Sequence, residues 1–210
     1  MKVETKRIIK NTALYKWYIE RRGAIHEHRS NQRRALFVER ILPRNGVGAE
    51  LGVFKGDFSS TLMSRTTARE FHMIDPWYFS TPYWHWGYGD RSTIRALIRI
   101  LKRFEKDIEN GRVRVHVGDD RQILTTFPDQ YFDWVYIDSS HFYEHTRDEL
   151  QILARKVKHD GVIAGDDWQP DPTHRHHGVC KAVSEFVGST KHKLVYADAA
   201  DRQWAIAMNR

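Results

Sequence analysis

The chain has one cysteine, Cys180, in 210 residues, so it cannot build an intramolecular disulfide framework, and a cytoplasmic location is expected. It has no apolar run approaching the ~20 residues needed to cross a bilayer. The opening residues, MKVETKRIIKNTALYKWYIERR, carry charge where a secretion signal needs a continuous apolar core. The G-x-G-x-x-G fingerprint of dinucleotide-binding proteins is also missing. Outside its first segment the chain has almost no net charge. Residues 1–44 hold twelve Lys and Arg against four Asp and Glu, a net of +8 within a total of +7, which leaves the remaining residues near −1.

What is present is therefore one substantial domain with a basic extension, drawn here as residues 1–45 and 46–210. An arm of this charge suits nucleic acid, an anionic lipid surface or a phosphorylated substrate, and equally a solvated helix packed on its own domain or on a second subunit of a homodimer. Apolar residues recur at helical spacing over 5–22 and 30–42. From residue 47 the pattern changes to short β-rich runs, VGAELGV, EFHMIDP, RVRVHVGD, FDWVYIDS, GVIAGDDW, KLVYAD and QWAIAM. Between them SSTLMSRT, IRALIRILKRFEKDI, YEHTRDELQILARKV and GVCKAVSEFVGS read as helices. Such alternation predicts an α/β fold, a mostly parallel sheet with helices on both faces.

In an open parallel sheet the ligand lies beyond the carboxyl ends of the strands, and polar residues gather there. The first strand runs into ELGVFKGDFSS, where Gly52 and Gly56 shape a turn and Ser59 opens a helix, a setting for close approach of an anionic ligand to backbone N–H groups. Asp75 ends the second strand, placed to accept hydrogen bonds from ribose hydroxyls. Asp119 and Asp120 end the third, where a carboxylate suits an adenine amino group. Asp138 ends the fourth strand, and Asp166 and Asp167 end the fifth. Three carboxylates at adjacent strand ends repel one another unless a cation or a proton compensates them, and Mg²⁺ or Mn²⁺ is the expected partner.

Together, Glu50-x-Gly52 with Gly56, Asp75, Gly118-Asp119, FDWVYIDSSHFYEHTRDEL and GVIAGDDW resemble the class I S-adenosylmethionine-dependent methyltransferases over residues 47–210. The likeness is greatest at Phe132 to Trp168, toward the small metal-dependent sugar and natural-product O-methyltransferases of the macrocin and aminocoumarin type. Phe54 stands where the first motif of that family commonly has its middle glycine. The resemblance implies a Rossmann-like seven-stranded sheet with an antiparallel last strand. It also implies an S-adenosylmethionine site at Glu50, Gly52, Phe54, Gly56, Ser59, Asp75, Trp77, Asp119 and Asp120, and a metal at Asp138, Asp166 and Asp167.

His141, three residues past Asp138, is the candidate general base, with Asp138 beside it in the catalytic group. The aromatic stretch PWYFSTPYWHWGYGD offers flat faces for a saccharide, with Tyr83, Trp84 and Trp86 as candidate contacts, joined by Tyr143 and Trp168. The expected activity is methylation of a saccharide hydroxyl, a mannoside of the mycobacterial methylmannose type by resemblance, or of another small hydroxylated natural product. A nucleic-acid-binding protein using the basic arm is the alternative of a different class, and it gives Asp138, Asp166 and Asp167 no role. HFYEH matches the H-x-x-E-H pattern of inverted zinc proteases, but this match leaves the aspartate pair unexplained. The histidines of THRHHGV are read as part of a flap over the site.

Overall fold

The computed structural model describes residues 32–77 and 91–209. A helix over residues 32–41 (α1) leads in. The order is then β1 (Val47–Leu51), α2 (Asp57–Thr66), β2 (Glu70–Asp75), α3 (Arg91–Arg103), α4 (Glu105–Glu109), β3 (Val113–Val117), α5 (Asp120–Thr125) and β4 (Phe132–Ile137). It closes with α6 (Tyr143–Lys156), β5 (Val157–Gly165), α7 (His177–Gly188), β6 (Lys193–Asp198) and β7 (Gln203–Ala207). The strands form one seven-stranded sheet in the order β3-β2-β1-β4-β5-β7-β6. The pairings from β3 through β5 are parallel, and β7 runs antiparallel to both β5 and β6. The expected α/β sheet with an antiparallel last strand is the one found.

Period-two alternation explains why the inner strands are largely apolar. On β4, Trp134 and Tyr136 face a core shared with α1, α2 and α3, while Val135 and Ile137 face one shared with α6 and α7; both faces are covered, so apolar residues dominate both parities, with Glu50 and His72 as buried exceptions. Phe37, Val38 and Leu42 from α1 and the turn after it enter the first of these cores. The boundary drawn at residue 45 therefore does not separate two cores.

Three local readings change. The run IRALIRILKRFEKDI is not one helix: Phe104 turns into the core, only 5% exposed, and divides α3 from α4. β5 begins at Val157 rather than at Gly161, because a register shift against β4 lets the chain enter the sheet before the glycine. The short helix α5 carried too few residues for a periodic signal. The predicted helix over 5–22 lies outside the described residues.

Leu153 of α6 is fully buried, whereas Leu36 of α1 is 60% exposed. In urea denaturation Leu153→Ala should lower stability by about 2–5 kcal/mol, and Leu36→Ala should stay within about 0.5 kcal/mol. Equal effects would mean that α6 does not pack on the sheet as described.

Candidate active site

β1, β2 and β4 end side by side, and the loops after them enclose a cavity of about 440 Å³. One wall is made by the loop after β1. Gly52 is at φ +84°, and a Cβ there would meet the Asp138 carbonyl oxygen at 2.1 Å, so only glycine lets this loop cross the end of β4. Phe54, in place of the family's glycine, is itself left-handed at φ 48°. Its conformation is held by Asp75, whose Oδ2 accepts the N–H groups of Val53 and Phe54 at 2.8 Å each, while Oδ1 accepts that of Trp77 at 2.8 Å. The Trp77 indole Nε1 in turn donates to the Phe54 carbonyl at 2.9 Å. Asp75 thus shapes this wall of the cavity as well as lining it. Burial raises its carboxyl above the usual range, opposed by those three N–H donors.

Glu50, 1% exposed, lines the cavity beside this loop and accepts a short hydrogen bond from Ser59 Oγ. Ser59 therefore serves Glu50 rather than presenting a free hydroxyl at the helix start. Gly56, at φ 70°, caps α2. Asp119 and Asp120 do not join this cavity: Asp119 caps α5 and pairs with Arg121 at 2.8 Å in a second surface recess. Asp120 is buried against His145 at 2.9 Å.

At the opposite wall the three expected metal ligands divide. Asp138 Oδ2 lies 2.8 Å from a guanidinium nitrogen of Arg34, which also donates to Tyr136 Oη at 3.0 Å and lies 3.5 Å from Asp166. The Arg34 guanidinium is stacked 3.7 Å from the Phe58 ring centre. Asp166 accepts from Gln203 Nε2 at 2.7 Å and has its carbonyl capped by Trp204 Nε1 at 2.9 Å. Burial and the charge of Asp138 push its carboxyl up to about 7, against the opposing pull of Arg34. The cation between Asp138 and Asp166 is thus Arg34.

Asp167 turns the other way. Its Oδ2 lies 3.2 Å from His141 Nδ1 and 2.9 Å from His176 Nδ1, and the two imidazoles stack at 4.7 Å. Asp138, His141 and Asp167 offer ligand atoms within 4.8 Å of one another, so the potential cation group contains His141 where Asp166 was expected. Burial lowers His141, outweighing Asp138 and Asp167. Asp167 is held below the usual carboxylate range because His141, His176 and Arg202 outweigh its burial. With Nδ1 toward a carboxylate, the imidazole of His141 has its other nitrogen left to exchange a proton.

Four non-glycine residues in left-handed backbone meet here: Phe54, Trp77, His141 and Asp167, at φ 48°, 37°, 60° and 61°. Such conformations persist where the surroundings over-determine them, and they concentrate at working sites. Tyr143 and Trp168 are placed elsewhere. Tyr143 donates to Glu185 at 2.5 Å and lies under Lys181, bridging α6 and α7, and Trp168 packs against the α6–α7 core. Tyr83, Trp84 and Trp86 lie outside the described residues. HFYEH also divides, with Glu144 exposed and His141 and His145 bound to different carboxylates. Residue types alone did not single out Arg34, Gln203 or Ser139; His176 had a signal in its histidine-rich loop.

The fold is that of the class I S-adenosylmethionine-dependent methyltransferases. A family model described as a methyltransferase domain matches residues 49–168, more than half of the chain, and the chain belongs to that family. Searching curated proteins by sequence gives no match. Among solved structures, the Podospora anserina methyltransferase PaMTH1 bound to SAH is 14% identical, covering 78% of this chain and 72% of that one with a TM-score of 0.55. The precorrin-6y C5,15-methyltransferase of Geobacter metallireducens is 14% identical, covering 84% and 86% with a TM-score of 0.55. A spermidine synthase in complex with the transition-state analogue AdoDATO is 16% identical over 80% of this chain at a TM-score of 0.54, and this chain spans 56% of its length. At these identities the likeness is one of fold.

Burial, only partly offset by the Ser59 hydrogen bond, pushes the Glu50 carboxyl up to about 8. Below about pH 4 the group is protonated in folded and unfolded chains alike; between about 4 and 8 only the unfolded chain ionises, so stability falls as pH rises; above about 8 the effect levels off. Denaturation across this range should show Glu50→Gln with a flatter profile than the parent protein. Parallel profiles would mean that Glu50 is ionised in the folded protein.

Proposed function

We propose that the chain moves the methyl group of S-adenosylmethionine to a hydroxyl oxygen of a small polyhydroxylated acceptor, a saccharide foremost, at the Asp138–His141–Asp167 end of the cavity. The observation that carries this reading is the Asp167-oriented His141 lining the same cavity as Glu50, Gly52 and Asp75. Methyl transfer from a sulfonium to a hydroxyl forms an O–CH₃ bond as the S–CH₃ bond breaks, and the hydroxyl proton must leave. His141 is placed to take that proton, with Asp167 fixing its ring and stabilising the imidazolium that forms. Asp75 retains a lone pair on Oδ1 for a ribose hydroxyl, and Trp77 closes the cofactor wall.

The residues present fit a divalent cation such as Mg²⁺ or Mn²⁺. Asp167 Oδ1 is buried without a hydrogen-bond partner among the described residues, with the Arg202 guanidinium 3.4 Å away, and Asp138 is the most open of the three strand-end carboxylates. These two would hold the ion, which supplies stabilisation of the developing alkoxide. Asp166, already engaged by Gln203 and Arg34, would support them from behind. The aromatic residues of the stretch after Asp75 support a ring-shaped acceptor by composition.

His141→Gln should lower kcat by about a hundredfold or more with the Kd for S-adenosylmethionine unchanged, measured as labelled methyl transfer to a panel of mannosides and other hydroxylated acceptors with Mg²⁺ and with EDTA. Transfer abolished by EDTA and restored by Mg²⁺ supports the cation; transfer indifferent to EDTA removes it. A panel in which only amines are methylated would overturn the hydroxyl reading.

A further inference from the structure

Ser139 faces the cavity on one side and a second polar group on the other. His145 and Glu149 stand one turn apart on the same face of α6, and Asp120 reaches them from the start of α5. Their side chains are 12%, 0% and 4% exposed. His145 Nε2 lies 2.9 Å and 3.1 Å from the two oxygens of Asp120 and 3.5 Å from Glu149 Oε1. Ser139 Oγ donates to Glu149 Oε1 at 2.6 Å, while Glu149 Oε2 is buried with no hydrogen-bond partner among the described residues.

The ion pair between His145 and Asp120 and the Ser139 hydrogen bond to Glu149 Oε1 leave Glu149 Oε2 without a hydrogen-bond partner among the described residues. A buried carboxylate with one oxygen unpaired is costly, and native structures rarely keep one without a partner. One imidazole nitrogen and two carboxylate oxygens are a zinc-type donor set. Tetrahedral ligands at zinc bond lengths are about 3.3 Å apart, and the 2.9 Å and 3.5 Å separations here bracket that value. All three residues offer ligand atoms within 4.8 Å of one another.

We propose that Asp120, His145 and Glu149 form a divalent-metal site of the zinc type, separate from Asp138–His141–Asp167, which fastens α5 to α6 and, through Ser139, holds the loop that follows β4. This assigns metal chemistry to the second histidine of HFYEH in company with Glu149, not with His141.

The test uses the full chain, stripped with chelator, reloaded with Zn²⁺ and desalted, with bound metal counted by mass spectrometry and Tm recorded. The expected result is about one Zn²⁺ retained per chain with a raised Tm. His145→Gln and Glu149→Gln should each weaken Zn²⁺ binding by about 10–100-fold or more, while Asp138→Asn and Asp167→Asn leave it in place. No retained zinc, retention that survives both α6 variants, or retention lost with the Asp138 and Asp167 variants would overturn the proposal. Should the α6 variants fail to fold, Co²⁺ loading of the Asp138→Asn/Asp167→Asn double variant decides: a visible absorption band of a four-coordinate nitrogen–oxygen site supports the assignment, and its absence overturns it.

Discussion

The contact between Arg34 and the carboxylates of Asp138 and Asp166 is the one on which the site depends. A parallel sheet delivers its strand ends to one place, and here those ends carry Glu50, Asp75, Asp138, Asp166 and Asp167. Buried like charges at such spacing cannot all ionise unless something compensates them. Each carboxylate has its own answer: three backbone N–H groups for Asp75, protonation for Glu50 near neutrality, two histidines for Asp167, and the guanidinium for Asp138 and Asp166. Because Arg34 comes from α1, the segment before the sheet is part of the site's electrostatics. The side chain is also braced mechanically, over the Phe58 ring and against Tyr136.

The architecture was legible because it is written in local periodicity. The alternation of β-rich runs with helical ones gave the strands nearly to the residue, and the carboxylates after β2, β4 and β5 marked the functional end of the sheet. What local pattern does not carry is the pairing of distant side chains. Arg34 and Asp138 are 104 residues apart, and Gln203 and Asp166 are 37 apart. The adjacent aspartates 166 and 167 looked equivalent as letters. A left-handed backbone at Asp167 sends them in opposite directions, one to Arg34 and Gln203 and the other to the histidines. Asp119 lies outside the cavity for a related reason: a carboxylate after a strand serves as a helix cap as readily as a ligand contact, and Arg121 two residues on pairs with it.

Phe54 shows how a family position can change type and keep its geometry. The left-handed conformation that glycine adopts without cost is imposed on a phenylalanine by two N–H bonds to Asp75. The conformational cost is balanced by a carboxylate that also faces the cavity. Strain, charge compensation and the lining of the cavity are therefore concentrated in the same few residues, which is the condition for a preorganised site.

We propose one cavity with a cofactor wall around Asp75 and a chemical wall at Asp138 and His141, the latter held by Asp167. Calorimetric titration of S-adenosylhomocysteine into the parent protein, Asp75→Ala and Asp167→Asn, each checked for folding by circular dichroism, tests it directly. The account predicts binding weakened by about tenfold or more for Asp75→Ala and essentially unchanged for Asp167→Asn. Undiminished binding by Asp75→Ala, with loss in Asp167→Asn, would contradict it.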